Sequence, residues 1–278
     1  MSKLVKVLSW LGTEMNTPVA FGWFHLLWIG IMLFVLFILY KLRKKYSEKQ
    51  LKILLFTYGI IAFVLETLKQ ILWAFNYDSI TNIVTWDYEW YSFPFQLCTT
   101  PIFVCLICSF LKKGKVRDIL FSYLAFFTIL GSISTIFIPD SCFTSDILIN
   151  IHTMWLHYGS FVVSIYLLMN KAVKVDIKNV FRGFMVFLTF VCLAMILNLS
   201  IYHSGLLNGE TFNMFYISPY FISSLPVFDV IQENVPYFLY LVIYIVALLL
   251  GAFIIYRIAY IISKRKKFIN RIKKKIRN

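Results

Sequence analysis

Long apolar runs separated by short charged connections make up most of this chain. Seven runs are long enough to cross a bilayer, at residues 19–40, 53–75, 93–111, 118–138, 147–169, 183–202 and 237–262. A membrane helix needs about 20 mostly apolar residues, and in hydrocarbon only helices or closed barrels satisfy their own backbone. The pattern therefore predicts an all-α, polytopic membrane protein: a seven-transmembrane-helix bundle over residues 19–262. Residues 1–18 read differently. Leu4, Val5, Val7, Leu8, Trp10 and Leu11 are interrupted by Lys3 and Lys6, which predicts a short interfacial helix lying on the membrane. The longest connection, 203–236, carries Pro219, Pro226 and Pro236 and is too broken to be another span; it reads as a lid or a re-entrant segment.

Charge along the connections sets the direction of threading. Lys41, Arg43, Lys44, Lys45, Lys49 and Lys52 follow the first span. Lys112, Lys113, Lys115 and Arg117 follow the third, and Lys171, Lys174, Lys178 and Arg182 follow the fifth. A basic tail, 263–278, follows the seventh. The alternate connections carry Asp78, Asp87, Glu89, Asp140, Asp146, Glu210, Asp229 and Glu233, with no Lys or Arg. Positive charge stays on the cytoplasmic side, so the N-terminus is expected outside and the C-terminus in the cytoplasm. A multi-pass protein of the plasma membrane follows. No cleavable signal peptide is expected, because the first eighteen residues lack a long apolar core.

Composition agrees. The chain has 278 residues, of which 60% are hydrophobic and only 14% charged. Its net charge of +14 sits in clusters between apolar spans, which argues against a nucleic-acid face. The tail instead suits anionic lipid. Five cysteines without a CxxC pattern predict neither a disulfide framework nor a zinc site. No metal is expected, since His25, Glu66, His152 and His157 lack HExxH-type spacing. No cofactor is expected either: the seventh span has no lysine between Tyr237 and Tyr256 to hold a retinal.

The chemistry lies in polar residues placed inside spans. Glu66 and Lys69 sit three apart in the second span, on one helical face where they can pair. An ionisable group near mid-bilayer costs at least about 2.5–3.5 kcal/mol on insertion scales, so the pair is either a packing device or part of a site. The predicted topology brings His25, Glu66, Lys69, Gln96, Cys98, His152, His157 and Asn198 to a similar depth in the outer half, which points to a shared pocket. Pro94 and Pro101 flank Cys98 and free backbone groups around it. A nearby imidazole would turn that thiol into a nucleophile. His152 and His157 are five residues apart, about 140° around a helix, so both cannot face one point. Glu66 suits the role of orienting a histidine or balancing Lys69; Gln96 and Asn198 suit that of oxyanion donors.

With His25, ETLK (Glu66–Lys69), FPFQLC (Phe93–Cys98), His157 in HTMWLHYGS and Asn198 in view, the chain resembles the YwaF-like integral membrane proteins, which are related to transmembrane protein 164 of animals. The animal member is regarded as a cysteine-dependent acyltransferase that moves an acyl chain onto an ether lysophospholipid. The resemblance implies a bacterial membrane enzyme with Cys98 as acyl-accepting nucleophile and His157, or else His152, as base. Its expected partner is a membrane lipid, with His25, Glu66, Lys69, Gln96 and Asn198 on the substrate side. The expected function is thus a membrane-embedded acyltransferase or lipid hydrolase acting on phospholipid acyl esters from an outward pocket. The alternative is a binding or transport protein for a small molecule or lipid that uses the same pocket without covalent chemistry.

Overall fold

The computed structural model describes residues 2–43, 47–139 and 142–277, with side chains described through 265. Lys44, Lys45 and Asp140 of the charge pattern, and the side chains of most of the basic tail, lie outside the described residues.

The protein is predominantly helical. An amphipathic helix α1 (Lys3–Leu11) buries Val5 and Leu8, and Ser2 caps it by accepting from the Val5 N–H. It is followed by α2 (Trp23–Leu42) and α3 (Glu48–Ala74). α3 opens with a capping box in which Ser47 accepts from the Gln50 N–H and the Gln50 side chain accepts from the Ser47 N–H. A hairpin of β1 (Phe75–Asp78) and β2 (Ile83–Trp86) and a 3-10 turn at Trp90–Ser92 lead to α4 (Thr100–Phe110). Then come α5 (Lys115–Phe126), α6 (Thr128–Phe137), α7 (Ile147–Met169) and α8 (Ile177–His203). A 3-10 turn at Met214–Tyr216, α9 (Phe228–Asn234) and α10 (Tyr237–Arg277) complete the chain.

Among the described residues, five helical segments are long and apolar enough to cross a membrane: α2, α3, α5 together with α6, α8 and α10 through residue 265. α7 begins and ends where the apolar run predicts, but polar Asn, His, Ser and Tyr side chains interrupt it and it is not among these five. Its position explains this. α2, α3, α5 and α6 all pack against α7, so its side chains meet protein rather than lipid and Ser, His, Asn and Tyr are tolerated. α2 is the reverse case. Leu26, Leu27, Leu33, Phe34 and Phe37 stand exposed on it, as residues do where hydrocarbon is the solvent.

Two predicted spans are altered. The third was expected as a helix over 93–111, but only Thr100–Phe110 is helical, which at about 1.5 Å per residue is far short of a bilayer. Pro94 holds Phe93 in an extended conformation (ψ 133°), while Pro101 sits in the first turn of α4, where its missing N–H costs nothing. The fourth span breaks between α5 and α6 at Phe127 (φ −105°, ψ −44°). Thr128 and Ser132 there hydrogen-bond to carbonyls four residues earlier, which bends helices. The hairpin at 75–86 was not anticipated; it is held by Tyr77 on Asn82 and by the Asp78 carboxylate accepting from Ile80 N–H and the Thr81 hydroxyl. α10 runs without a break from the seventh apolar run into the basic tail, up to Arg277.

The main core lies between α3, α4, α5, α7 and α8 and takes in residues 207–217 of the long connection. α5 and α8 approach closely at Gly183, where an added Cβ would lie 2.9 Å from the Ser122 carbonyl oxygen. At the basic end, buried Arg117 pairs with Glu48, which also meets Lys113 at 3.4 Å, and this ties the start of α3 to the start of α5.

Candidate functional site

Glu66 is the hub of a buried charged cluster. One carboxylate oxygen, Oε1, lies 2.7 Å from Lys69 Nζ and accepts from Gln70 Nε2 at 2.8 Å. The other, Oε2, lies 2.8 Å from His152 Nε2 on α7. That contact is close but off the line of a straight hydrogen bond, and among the described residues neither atom has another hydrogen-bond partner. All three ionisable groups are under 10% exposed. Helical spacing explains the grouping, since residues 66, 69 and 70 share one face of α3, the face turned to α7. Lys69 Nζ and Gln70 Nε2 also donate to the Ser92 carbonyl, at 3.2 and 2.7 Å, and the Tyr88 hydroxyl donates to Gln70 Oε1 at 2.8 Å. Gln70 and Ser92 were missed from the sequence. Gln70 was legible as the residue four after Glu66, whereas Ser92 joins only because the chain folds back.

Cys98 lies next to this cluster. It sits in the turn that leads into α4, two residues before its first residue, Thr100. Gln96 and Thr99 close the turn: Thr99 Oγ1 accepts from Gln96 N–H at 2.8 Å. The thiol is half-buried against the main core, and the charges of Lys69 and Glu66 both act on it. Tyr58, Tyr123, Tyr216 and Tyr244 are the phenols whose electrostatics it influences. Among the described residues, no hydrogen bond joins Cys98 to an imidazole.

The long connection folds into the protein. Phe212, Met214, Phe215 and Ile217 are fully buried. Two amides clamp it. Asn198 donates from Nδ2 to the Met214 carbonyl (3.0 Å) and accepts the Met214 N–H on Oδ1 (2.7 Å). Gln96 donates from Nε2 to the Asn213 carbonyl (2.9 Å) and accepts the Phe215 N–H on Oε1 (2.7 Å). Both amides, read from the sequence as oxyanion donors, are thus engaged at both ends with loop backbone. The clamped residues are strained: Phe215 and Tyr216 have φ of 57° and 58°, where non-glycine residues rarely sit. Asn198→Ala should cost about 2–5 kcal/mol, because it strands a buried N–H and a buried C=O of Met214. Thermal unfolding of the purified protein, with limited proteolysis in 204–227, checks this: a lower midpoint and faster nicking are expected.

The remaining histidines diverge. His157 is buried, bonds toward the backbone of Gly131 on α6, and among the described residues leaves its Nδ1 without a hydrogen-bond partner. His25 accepts from the Phe21 N–H at Nδ1 (3.0 Å) and packs against Phe143 and Tyr158. The eight candidates therefore do not form one shared pocket. Glu66, Lys69 and His152 form one group, and the charges of the first two act on Cys98. Gln96 and Asn198 hold the loop beside it, His157 bonds toward Gly131 within reach of the His152 charge, and His25 bonds to the Phe21 N–H. Among the described residues no group of three or more His, Cys, Asp or Glu side chains suits a metal ion. The carboxylates at this end crowd one another. Burial first, then Glu210 and Asp87, pushes the Glu89 carboxyl above its usual range, while Glu210 accepts the Trp90 N–H at 2.7 Å and ties the loop to the turn after the hairpin.

Comparison with known proteins supplies the kinship. A model of the TMEM164 family matches residues 20–256, most of the chain. The chain belongs to the TMEM164 family. The match begins just before α2 and ends within α10, so the charged cluster, Cys98 and the clamped loop all lie inside the part shared with this family of membrane proteins. No curated protein and no solved structure matches.

Proposed function

We propose that this TMEM164-family member is a lipid-modifying enzyme of the plasma membrane, a cysteine-dependent acyltransferase or lipid hydrolase that works from the outer side. The alternation of acidic and basic connections supports an outside N-terminus and a cytoplasmic C-terminus. On that threading the seven spans are α2, α3, the broken 90–110 segment, α5–α6, α7, α8 and α10.

The observation that carries the reading is the place of Cys98. An interrupted span puts the thiol at the N-terminal mouth of a half-helix, where the charges of Lys69 and Glu66 act on it. The thiolate is the form that attacks, so a base must take the Cys98 proton. His152 is the better-placed base, since Glu66 orients it, and His157 is the second choice. In the first half-reaction His152 takes the thiol proton and Sγ bonds to the ester carbonyl carbon. The ester C–O bond then breaks, and His152 returns the proton to the leaving oxygen. A lysolipid hydroxyl, or water, reverses these steps on the thioester. Lys69, the buried cation of this cluster, would meet the headgroup phosphate.

Acyl exchange on labelled phospholipid in vesicles separates the histidines. His152→Gln should lower turnover by about 10²–10⁴-fold, the usual scale for a lost general base, and His157→Gln much less. Full turnover in His152→Gln would remove it as the base. The second reading, non-covalent binding or transport, is favoured by the lack of a Cys98–imidazole hydrogen bond among the described residues. It requires that Cys98→Ser retain function while Glu66→Gln loses it.

A further inference from the structure

α2 and α3 follow one another in sequence, yet each packs against α7 and barely against the other. Consecutive antiparallel helices with a short connection normally touch. Here they splay and leave a cleft of about 430 Å³ whose floor is α7. The cleft runs along α2 from Trp28 to Leu42, about 21 Å at 1.5 Å per residue, or somewhat more than one leaflet of hydrocarbon.

Its walls are built for a chain without polar groups. Gly159 lets the Tyr58 ring lie across α7: an added Cβ would come within 2.6 Å of that ring. The Tyr58 hydroxyl donates to the Leu156 carbonyl at 3.0 Å, and Trp155 Nε1 donates to the Tyr58 carbonyl at 3.3 Å, so their polar atoms are turned away from a guest. Val35, Leu39, Ile53 and Val162 line the rest. The end of the cleft at the close of α2 and the start of α3 has the opposite character. Leu42 and Gln50 line it, and Lys41, Arg43 and Lys49 flank them in sequence. Lys41 and Lys49 are exposed side chains, with Lys41 lying over the Phe37 ring and Arg43 over the Tyr40 ring, on contacts that surface side chains can exchange for a phosphate. The nearest carboxylate, Glu48, is already neutralised by Arg117 and Lys113.

We infer that this cleft binds an anionic phospholipid, with an acyl chain between α2 and α3 and the headgroup phosphate on Lys41, Arg43 and Lys49. A tail-filling apolar slot with cations only at its mouth fits an amphiphile of that charge, and basic pockets between spans recognise acidic headgroups. Its cationic end, at the start of α3, lies away from the Glu66 and Cys98 end of that helix, although Tyr58 in its wall is near enough to Cys98 to feel its charge.

Native mass spectrometry of the full chain in detergent, supplied in turn with phosphatidylglycerol, phosphatidylcholine and oleate, tests it. The wild type should retain phosphatidylglycerol in preference to the other two. Ile53→Trp and Val35→Trp, which fill the slot from positions open to its surface, should lower retention about tenfold. The triple variant Lys41→Gln, Arg43→Gln, Lys49→Gln should keep a lipid but lose the preference for phosphatidylglycerol, about fivefold per cation removed. Circular dichroism and size exclusion confirm that each variant is folded, and the surface charge variant tests the site if a tryptophan variant does not fold. Unchanged retention in folded tryptophan variants would overturn the inference, as would equal wild-type affinity for phosphatidylcholine, preference for oleate, or a lipid-free dimer that covers the cleft.

Discussion

Glu66→Gln should destabilise the protein by about 3–5 kcal/mol, the cost of leaving a buried charge without its partner. The substitution keeps the shape and removes the charge. Lys69, 2.7 Å away and nearly fully buried, loses its only close counter-ion among the described residues and keeps one carbonyl, Ser92. His152 loses the carboxylate that holds it. The double variant Glu66→Gln, Lys69→Met should recover part of the loss, because it removes the stranded ammonium as well; a double-mutant cycle on thermal or denaturant unfolding measures the coupling. A single variant as stable as the wild type would show that the pair is solvated, contrary to its burial.

The second large effect concerns chemistry rather than stability. Cys98→Ala should leave the fold intact and remove acyl exchange altogether. The side chain is small, makes no hydrogen bond among the described residues, and sits in a turn whose closure depends on Gln96 and Thr99. Truncation therefore costs at most a modest packing loss, about 1 kcal/mol. Turnover in vesicles, read beside the melting midpoint, distinguishes the two: a stable but inactive variant supports a nucleophile, and a stable, active one rules it out. Cys98→Ser sharpens the comparison, since a hydroxyl in this setting is a far weaker nucleophile than a thiol.

Much of this arrangement was legible in the sequence. α7 occupies the residues its apolar run marked, and Glu66 meets both Lys69 and a histidine, the two partners expected of it. Spacing along one helix decides the first contact, and the cost of isolated charge in hydrocarbon decides the second. What could not be read was set by contacts distant in sequence. The roles of Gln96 and Asn198 depend on a loop entering the core between α4 and α8, more than a hundred residues from Gln96. An amide in a span signals an unmet hydrogen bond, but not which backbone will fill it. The shortening of α4 was hinted at by Pro94 and Pro101, whose effect on an apolar run was underweighted. The hairpin at 75–86 has strands of four residues each, too short for alternation to stand out.

The account rests on covalent acyl transfer through Cys98, and intact-protein mass spectrometry reads it directly. The protein, supplied with a phospholipid and quenched in acid, should carry a single added acyl mass that maps to Cys98 and is released by neutral hydroxylamine. An unmodified chain under conditions where labelled acyl groups continue to exchange would contradict it.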